Sequence, residues 1–313
     1  MNAQKEVFEQ GTVVIKGKTI EAVGDASLLH QFQTEQVLDV DGDIVMPGLV
    51  NAHTHVPMAV FRSLADDVPD RLQKYIFPLE KQFVSSEMVS IGAMLGTLEM
   101  LKSGITTYAD MYYFEDQVAK AVEKIGLRAV LGETIVTFPA PDAQNAEESI
   151  AYTERFIRQY RTHDLIIPAF APHAPYTTTP EILQKIHQLS QEYNVPVLMH
   201  VAEMDKEIEL CRDAYQATPI GYLHKIGVLD HHFVAAHTIF TDSNDMHILK
   251  ATDAGVAHNM SANVKSARGV APALDMFDQG IRIGLGTDGP MSRNSLSILD
   301  ELELVAKIHK LVK

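Results

Sequence analysis

The chain has 313 residues, 46% of them hydrophobic, enough to bury a large core in one big α/β domain or two ordinary ones. A formal net charge of -15 and a pI near 5.3 exclude the basic footprint that nucleic acid or an anionic membrane surface selects, and favour a small neutral or cationic ligand. The single cysteine, Cys211, excludes an internal disulfide framework and any multi-cysteine zinc site.

The opening MNAQKEVFEQG has no apolar signal region, and no stretch reaches the about 18 unbroken apolar residues of a membrane span, so a cytoplasmic location is expected. Residues 11–23 (GTVVIKGKTIEAV) alternate apolar and polar around Lys16-Gly17-Lys18, which predicts a hairpin. A lone hairpin is marginal in water and needs further strands. Residues 1–43 are therefore expected to form an accessory β segment of a sandwich that is incomplete at both termini of this chain.

From residue 44 strands and helices alternate. Strands are predicted over 44–52, 105–110, 127–135, 165–171, 195–200, 233–237, 255–259 and 281–288. Helical patterns lie between them, including 87–103 and 115–125, each closed by a glycine, and 179–193, opened by Thr-Pro-Glu. Further helices are predicted at 145–161, 204–215, 219–226, 243–254, 271–279 and from 296 onward. This order and length predict an α/β chain whose residues 44–313 form a (β/α)8 TIM-type barrel.

Several of these strands stop at a residue able to bind a metal or move a proton. His53 and His55 are two apart on the first strand and project to the same face, where two imidazoles can share one cation. His200 ends the fifth strand and can add a third nitrogen, while Glu203 falls in the loop beyond it as a proton carrier. Asp288, at the eighth strand, can bind the cation and accept a proton from its water, and His237 can hydrogen-bond that water. GLGTDG (284–289) is superficially like a phosphate loop but lacks its Lys-Ser/Thr ending. His258 ends the seventh strand, with a structural role and a substrate contact both open. Eight further histidines, among them His187, His231 and His309, sit in polar or helical contexts that favour solvated or helix-face roles.

The segments PGLVNAHTH (47–55), RSLADDVP (62–69), FPLE (77–80), SGITTYADMYY (103–113), APHAPYT (171–177), HVAE (200–203), HNMSANVKSARGVAP (258–272) and GLGTDG occur in an order that resembles the amidohydrolase superfamily. Within it the chain is similar to the methylthioadenosine/S-adenosylhomocysteine deaminases and the chlorohydrolase-like deaminases. The resemblance implies one Zn2+ per chain, or Fe2+, held by His53, His55, His200 and Asp288. It implies catalysis by Glu203, His237 and Asp288, and substrate contacts from Glu80, His173, Glu203 and Asp288. The implied reaction is hydrolytic deamination of an aminopurine nucleoside, with no nucleic acid or membrane partner and with self-association common among such barrels.

The fourth strand offers His173 but no lysine to bridge a second metal, and Glu133, at the end of the third strand, is the other residue able to bridge one. The stretch after the third strand carries Glu133 and no arginine to hold an amino-acid carboxylate, which favours a neutral tail, as in methylthioadenosine or adenosine, over S-adenosylhomocysteine. Guanine, cytosine or triazine aminohydrolases, a chlorohydrolase and a non-catalytic scaffold relative are the competing readings.

Overall fold

The computed structural model describes residues 6–68 and 70–312. The chain divides into two compact units, Met1–Gly48 and Leu49–Lys313. In the first, β1 (Gly11–Lys16) and β2 (Thr19–Asp25) form the expected antiparallel hairpin, with Lys16 opposite Thr19 and an irregularity between Val14 and Ile15. Gly17 takes φ 59, a left-handed value that suits glycine in so short a turn. Among the described residues this sheet has two strands only, and Ile15 and Ile20 stay exposed.

The second unit is a nearly closed barrel of parallel strands in chain order: β3 (Leu49–Thr54), β4 (Ile105–Tyr112), β5 (Arg128–Ile135), β6 (Ile166–Pro172), β7 (Val197–Val201), β8 (Phe233–His237), β9 (Gly255–His258) and β10 (Ile283–Leu285). Sequential parallel neighbours require a crossover each time, and helices such as Ser86–Lys102, Glu115–Ile125 and Pro180–Tyr193 supply it. Helix Glu115–Ile125 ends at Gly126 with φ 89, and Thr179 caps helix Pro180–Tyr193, as the residue signals predict. Strand β7, VLMHV, is buried at every position, as a strand with both faces covered must be.

Two expected strand boundaries move by three residues or more. The first barrel strand starts at Leu49 rather than Ile44, because Pro47 has no N–H to give a ladder. The eighth ends at Leu285 rather than Asp288. Beyond it the chain leaves regular pairing and closes on β3 by other bonds: Thr287 N donates to Asn51 Oδ1 at 3.1 Å and Asp288 N to the His53 carbonyl at 3.0 Å. Asp288 itself has φ 58. The short helices Val56–Phe61, Phe77–Phe83, Met260–Lys265 and Pro290–Arg293 were not anticipated, and all lie in connections that follow a strand and build the rim.

Candidate active site

The C-terminal ends of the barrel strands bring five ligating side chains to one place. His55 Nε2 is 3.1 Å from His200 Nε2 and 3.2 Å from Asp288 Oδ1, and His53 Nε2 is 3.5 Å from the same oxygen. Ligand atoms of His53, His200, His237 and Asp288 all fall within 4.8 Å of one another. Tetrahedral zinc with bonds of roughly 2.0–2.1 Å sets its donors about 3.4 Å apart, close to the 3.1, 3.2 and 3.5 Å separations among His53, His55, His200 and Asp288, so these four fit such an ion. His53 Nε2 and His237 Nε2 are buried with no protein hydrogen-bond partner, which a cation and its water would satisfy.

The ring orientations are set from behind. His55 Nδ1 donates to the Met111 carbonyl at 2.6 Å and His200 Nδ1 to the His173 carbonyl at 2.8 Å. His237 Nδ1 meets Asn263 Oδ1 at 2.8 Å. Each contact leaves Nε2 facing the centre, the arrangement that orients histidine ligands in metal sites. Asp110 Oδ1 accepts from Val56 N at 2.6 Å and so fixes the turn that follows His55.

Burial opposes charge on the imidazoles. It lowers His53 to about 4 against the pull of Asp288, and it lowers His200 and His237. His55 is also buried, but the Asp288 carboxylate outweighs that cost and raises it to about 9. Burial pushes Asp288 up, yet the hydrogen bonds and charge of the surrounding imidazoles hold it well below the usual carboxylate range.

His55, Glu80, His173, His200, Glu203, His237 and Asp288 line one pocket, with His53 buried in the same imidazole group. Burial raises the carboxyl of Glu80 to about 7, with the Tyr112 hydroxyl and His55 pulling the other way. Burial lowers His173 to about 3, its ring centroid 4.8 Å from that of His200. Glu203 lies 3.6 Å from His237 Nε2, and Arg268 Nη1 pairs with its carboxylate.

Every residue expected at the site therefore meets there, but several of its parts were not foreseen. Arg268 and Asn263 stand inside HNMSANVKSARGVAP, where a lone arginine among small residues was the only signal. Glu207 accepts from Ala202 N at 2.8 Å and Glu203 N at 2.9 Å, holding the loop in which Ala202 takes φ 53. Glu133 is buried and accepts from Glu115 N at 3.1 Å, away from the ligating group. His258 is buried against His309, 3.3 Å between Nε2 atoms. His309 is thus a buried helix-face residue, not a solvated one. Met58 and Met111 line the pocket, and so does Arg71, whose guanidinium donates to the Met291 carbonyl and Ser292 Oγ. None of the described helices is long and apolar enough to cross a membrane.

Residues 44–313 match the model of the amidohydrolase family. The 5-methylthioadenosine/S-adenosylhomocysteine deaminase of Thermodesulfovibrio yellowstonii is 38% identical over 99% of this chain and 72% of its own length. The enzyme of the same name from Syntrophobacter fumaroxidans is 40% identical over 97% and 70%. Among solved structures, an adenosine deaminase from Xanthomonas campestris with bound zinc superposes with a TM-score of 0.94 at 31% identity, over 97% of this chain and 70% of that one. The chain belongs to the amidohydrolase family.

Proposed function

We propose that this protein is a metal-dependent aminohydrolase that removes the amino group of an aminopurine nucleoside as ammonia. The observation that carries the reading is the convergence of His53, His55, His200, His237 and Asp288 in a pocket that also holds Glu203. The names of its relatives point the same way: two are methylthioadenosine/S-adenosylhomocysteine deaminases, and the superposed structure is an adenosine deaminase with zinc.

His53, His55, His200 and Asp288 would hold one zinc ion per chain, with iron as the alternative. Such an ion supplies Lewis acidity that brings the pKa of a water towards about 7. The protein's own groups then manage protons. Asp288 and the free Nε2 of His237 accept the proton of the attacking water. Glu203 delivers a proton to the ring nitrogen beside the amino-bearing carbon as the new C–O bond forms; the proton held by Asp288 then passes to the amino group, the remaining hydroxyl proton returns to Glu203, and the C–N bond breaks as ammonia departs. Glu80 and His173, in the pocket wall, contact the nucleoside. Both guanidinium groups in the lining are already engaged by protein acceptors, Arg71 by Met291 and Ser292 and Arg268 by Glu203. That supports a neutral tail, as in methylthioadenosine or adenosine, over S-adenosylhomocysteine. A cytoplasmic location suits the single buried thiol.

The test is ammonia release from a panel of methylthioadenosine, adenosine, S-adenosylhomocysteine, guanine and cytosine, with elemental analysis of the metal-replete protein. Turnover of the adenine nucleosides with about one metal per chain is expected from a four-ligand site. Selective turnover of guanine or cytosine overturns the substrate class. A metal-free, inactive protein overturns the enzyme.

A further inference from the structure

Two of the three groups assigned to move protons, His237 and Glu203, come from the ends of different strands, yet one short stretch of chain, Asn263 to Arg268, grips both. His237 ends β8, and its Nδ1 meets Asn263 Oδ1 at 2.8 Å. An amide oxygen can only accept, so Nδ1 carries the hydrogen and the lone pair of Nε2 faces the pocket. Glu203 follows β7. Its backbone is held by Glu207, while its carboxylate is held by Arg268 Nη1. The two holders are locked to each other: Arg268 N donates to the Asn263 carbonyl at 3.0 Å across a turn in which Ala267 takes φ 54. Glu203 Oε1 and His237 Nε2 end up 3.6 Å apart.

We infer that Asn263 and Arg268 are positioning residues for the deamination: Asn263 selects the tautomer of His237 whose Nε2 lone pair faces the pocket, and Arg268 aims the Glu203 carboxyl group at the reacting atoms. The inference rests on the deaminase reading above. Proton transfer requires donor and acceptor within hydrogen-bond reach, and a carboxylate left to rotate would spend most of its time off that line. A guanidinium supplies both direction and charge, because its N–H groups are fixed in a plane. A residue that only packed the loop would supply neither.

Steady-state ammonia release separates these roles, with metal content and melting temperature measured on every protein. Arg268→Gln should lower kcat on the order of 10²-fold while KM moves less than about threefold, and Arg268→Lys should return it to within about tenfold of wild type. Asn263→Leu, which removes the acceptor, should lower kcat in the same way, and Asn263→Asp, which keeps one, should recover part of it. Metal content should be unchanged throughout. Equal losses in Arg268→Gln and Arg268→Lys, or a change confined to KM, overturn the inference. If Arg268→Gln fails to fold, the Asn263 pair decides by the same criteria. An active wild type whose variants keep full kcat sinks the inference alone. A metal-loaded wild type that releases no ammonia from any aminopurine sinks the deaminase reading, and the inference with it.

Discussion

His55 and His200 face each other through their Nε2 atoms at 3.1 Å, while their opposite ring nitrogens are spent on the carbonyls of Met111 and His173. A carbonyl cannot donate, so both Nδ1 atoms carry hydrogen. Without a positive charge their Nε2 lone pairs would oppose each other, and the raised pKa of His55, about 9 against the cost of burial, reflects the proton that Asp288 draws there. The proximity of Asp288 Oδ1 to His55 Nε2, 3.2 Å, marks where a positive charge would sit. Removing one ring should therefore release the ion. His200→Ala is expected to purify with far less than one metal per chain under conditions that load the wild type, and to melt at a lower temperature when metal is in excess, since a ligand that binds only the folded state stabilises it. Full metal occupancy in His200→Ala would show that the ion is held elsewhere.

Glu203 behaves differently because it borders the ligating group without belonging to it. Glu203→Gln keeps the size of the side chain and an oxygen for Arg268, but loses the capacity to carry a proton. The variant should retain fold and metal and lose turnover by about 10²- to 10⁴-fold, the usual contribution of a positioned acid or base. Single-turnover assays of ammonia release at saturating nucleoside give the comparison. Near-normal turnover would remove Glu203 from the chemistry.

The barrel was legible because its strands are apolar runs punctuated by glycine caps and Ser, Thr or Asn starts, signals that act within a few residues. The proposed metal ligands were legible for a related reason: they sit where an apolar run stops. His53 and His55 are expected on one face from strand periodicity alone, His200 and His237 lie within the last two residues of β7 and β8, and Asp288 comes three residues after β10. What could not be read are pairings made by barrel closure. Arg268 reaches Glu203 across 65 residues of sequence and Asn263 reaches His237 across 26, and no local pattern announces either. Of the two roles open to His309, solvated or helix-face, burial against His258 at the end of β9 selects the second, and that contact too is invisible locally. Strand β10 was overextended because Thr287 and Asp288 look extended in sequence but satisfy their N–H groups on β3 instead.

Glu207 makes folding stability depend on pH with a predictable sign. It is fully buried, its two oxygens accept from Ala202 N and Glu203 N, and burial raises its pKa from 4.5 to about 8. The folded state thus binds the proton more tightly than the unfolded state. The stabilisation from this group is complete below about 4.5 and is lost as pH rises through about 8. Glu207→Gln does not titrate and keeps one acceptor. The stability of the wild type relative to Glu207→Gln should therefore decline from pH 5 to pH 8, by at most about 1.4 kcal/mol per pH unit. Urea unfolding of both proteins at three pH values measures it, and a difference that stays flat across the window would contradict the assigned shift.

Gly286 explains why GLGTDG is glycine-rich without being a phosphate loop. A Cβ at Gly286 would lie 2.2 Å from Asn259 Oδ1 and 2.9 Å from His53 N, so the chain after β10 is pressed directly against the backbone that carries the first ligand. Asn259 could turn away, but His53 N can retreat only by moving His53. Gly286→Ala should accordingly cost about 1–3 kcal/mol, the usual range for overpacking, and should also weaken metal retention. Gly126→Ala is the control. It strains a left-handed position, φ 89, with open space around it and far from the pocket lining, so its cost of roughly 1 kcal/mol should leave the metal in place. Melting temperature and metal content measured together on the two variants separate general destabilisation from distortion of the site. Gly286→Ala with wild-type values of both would show that β3 and the segment after β10 are not in the tight contact on which the ligand geometry depends.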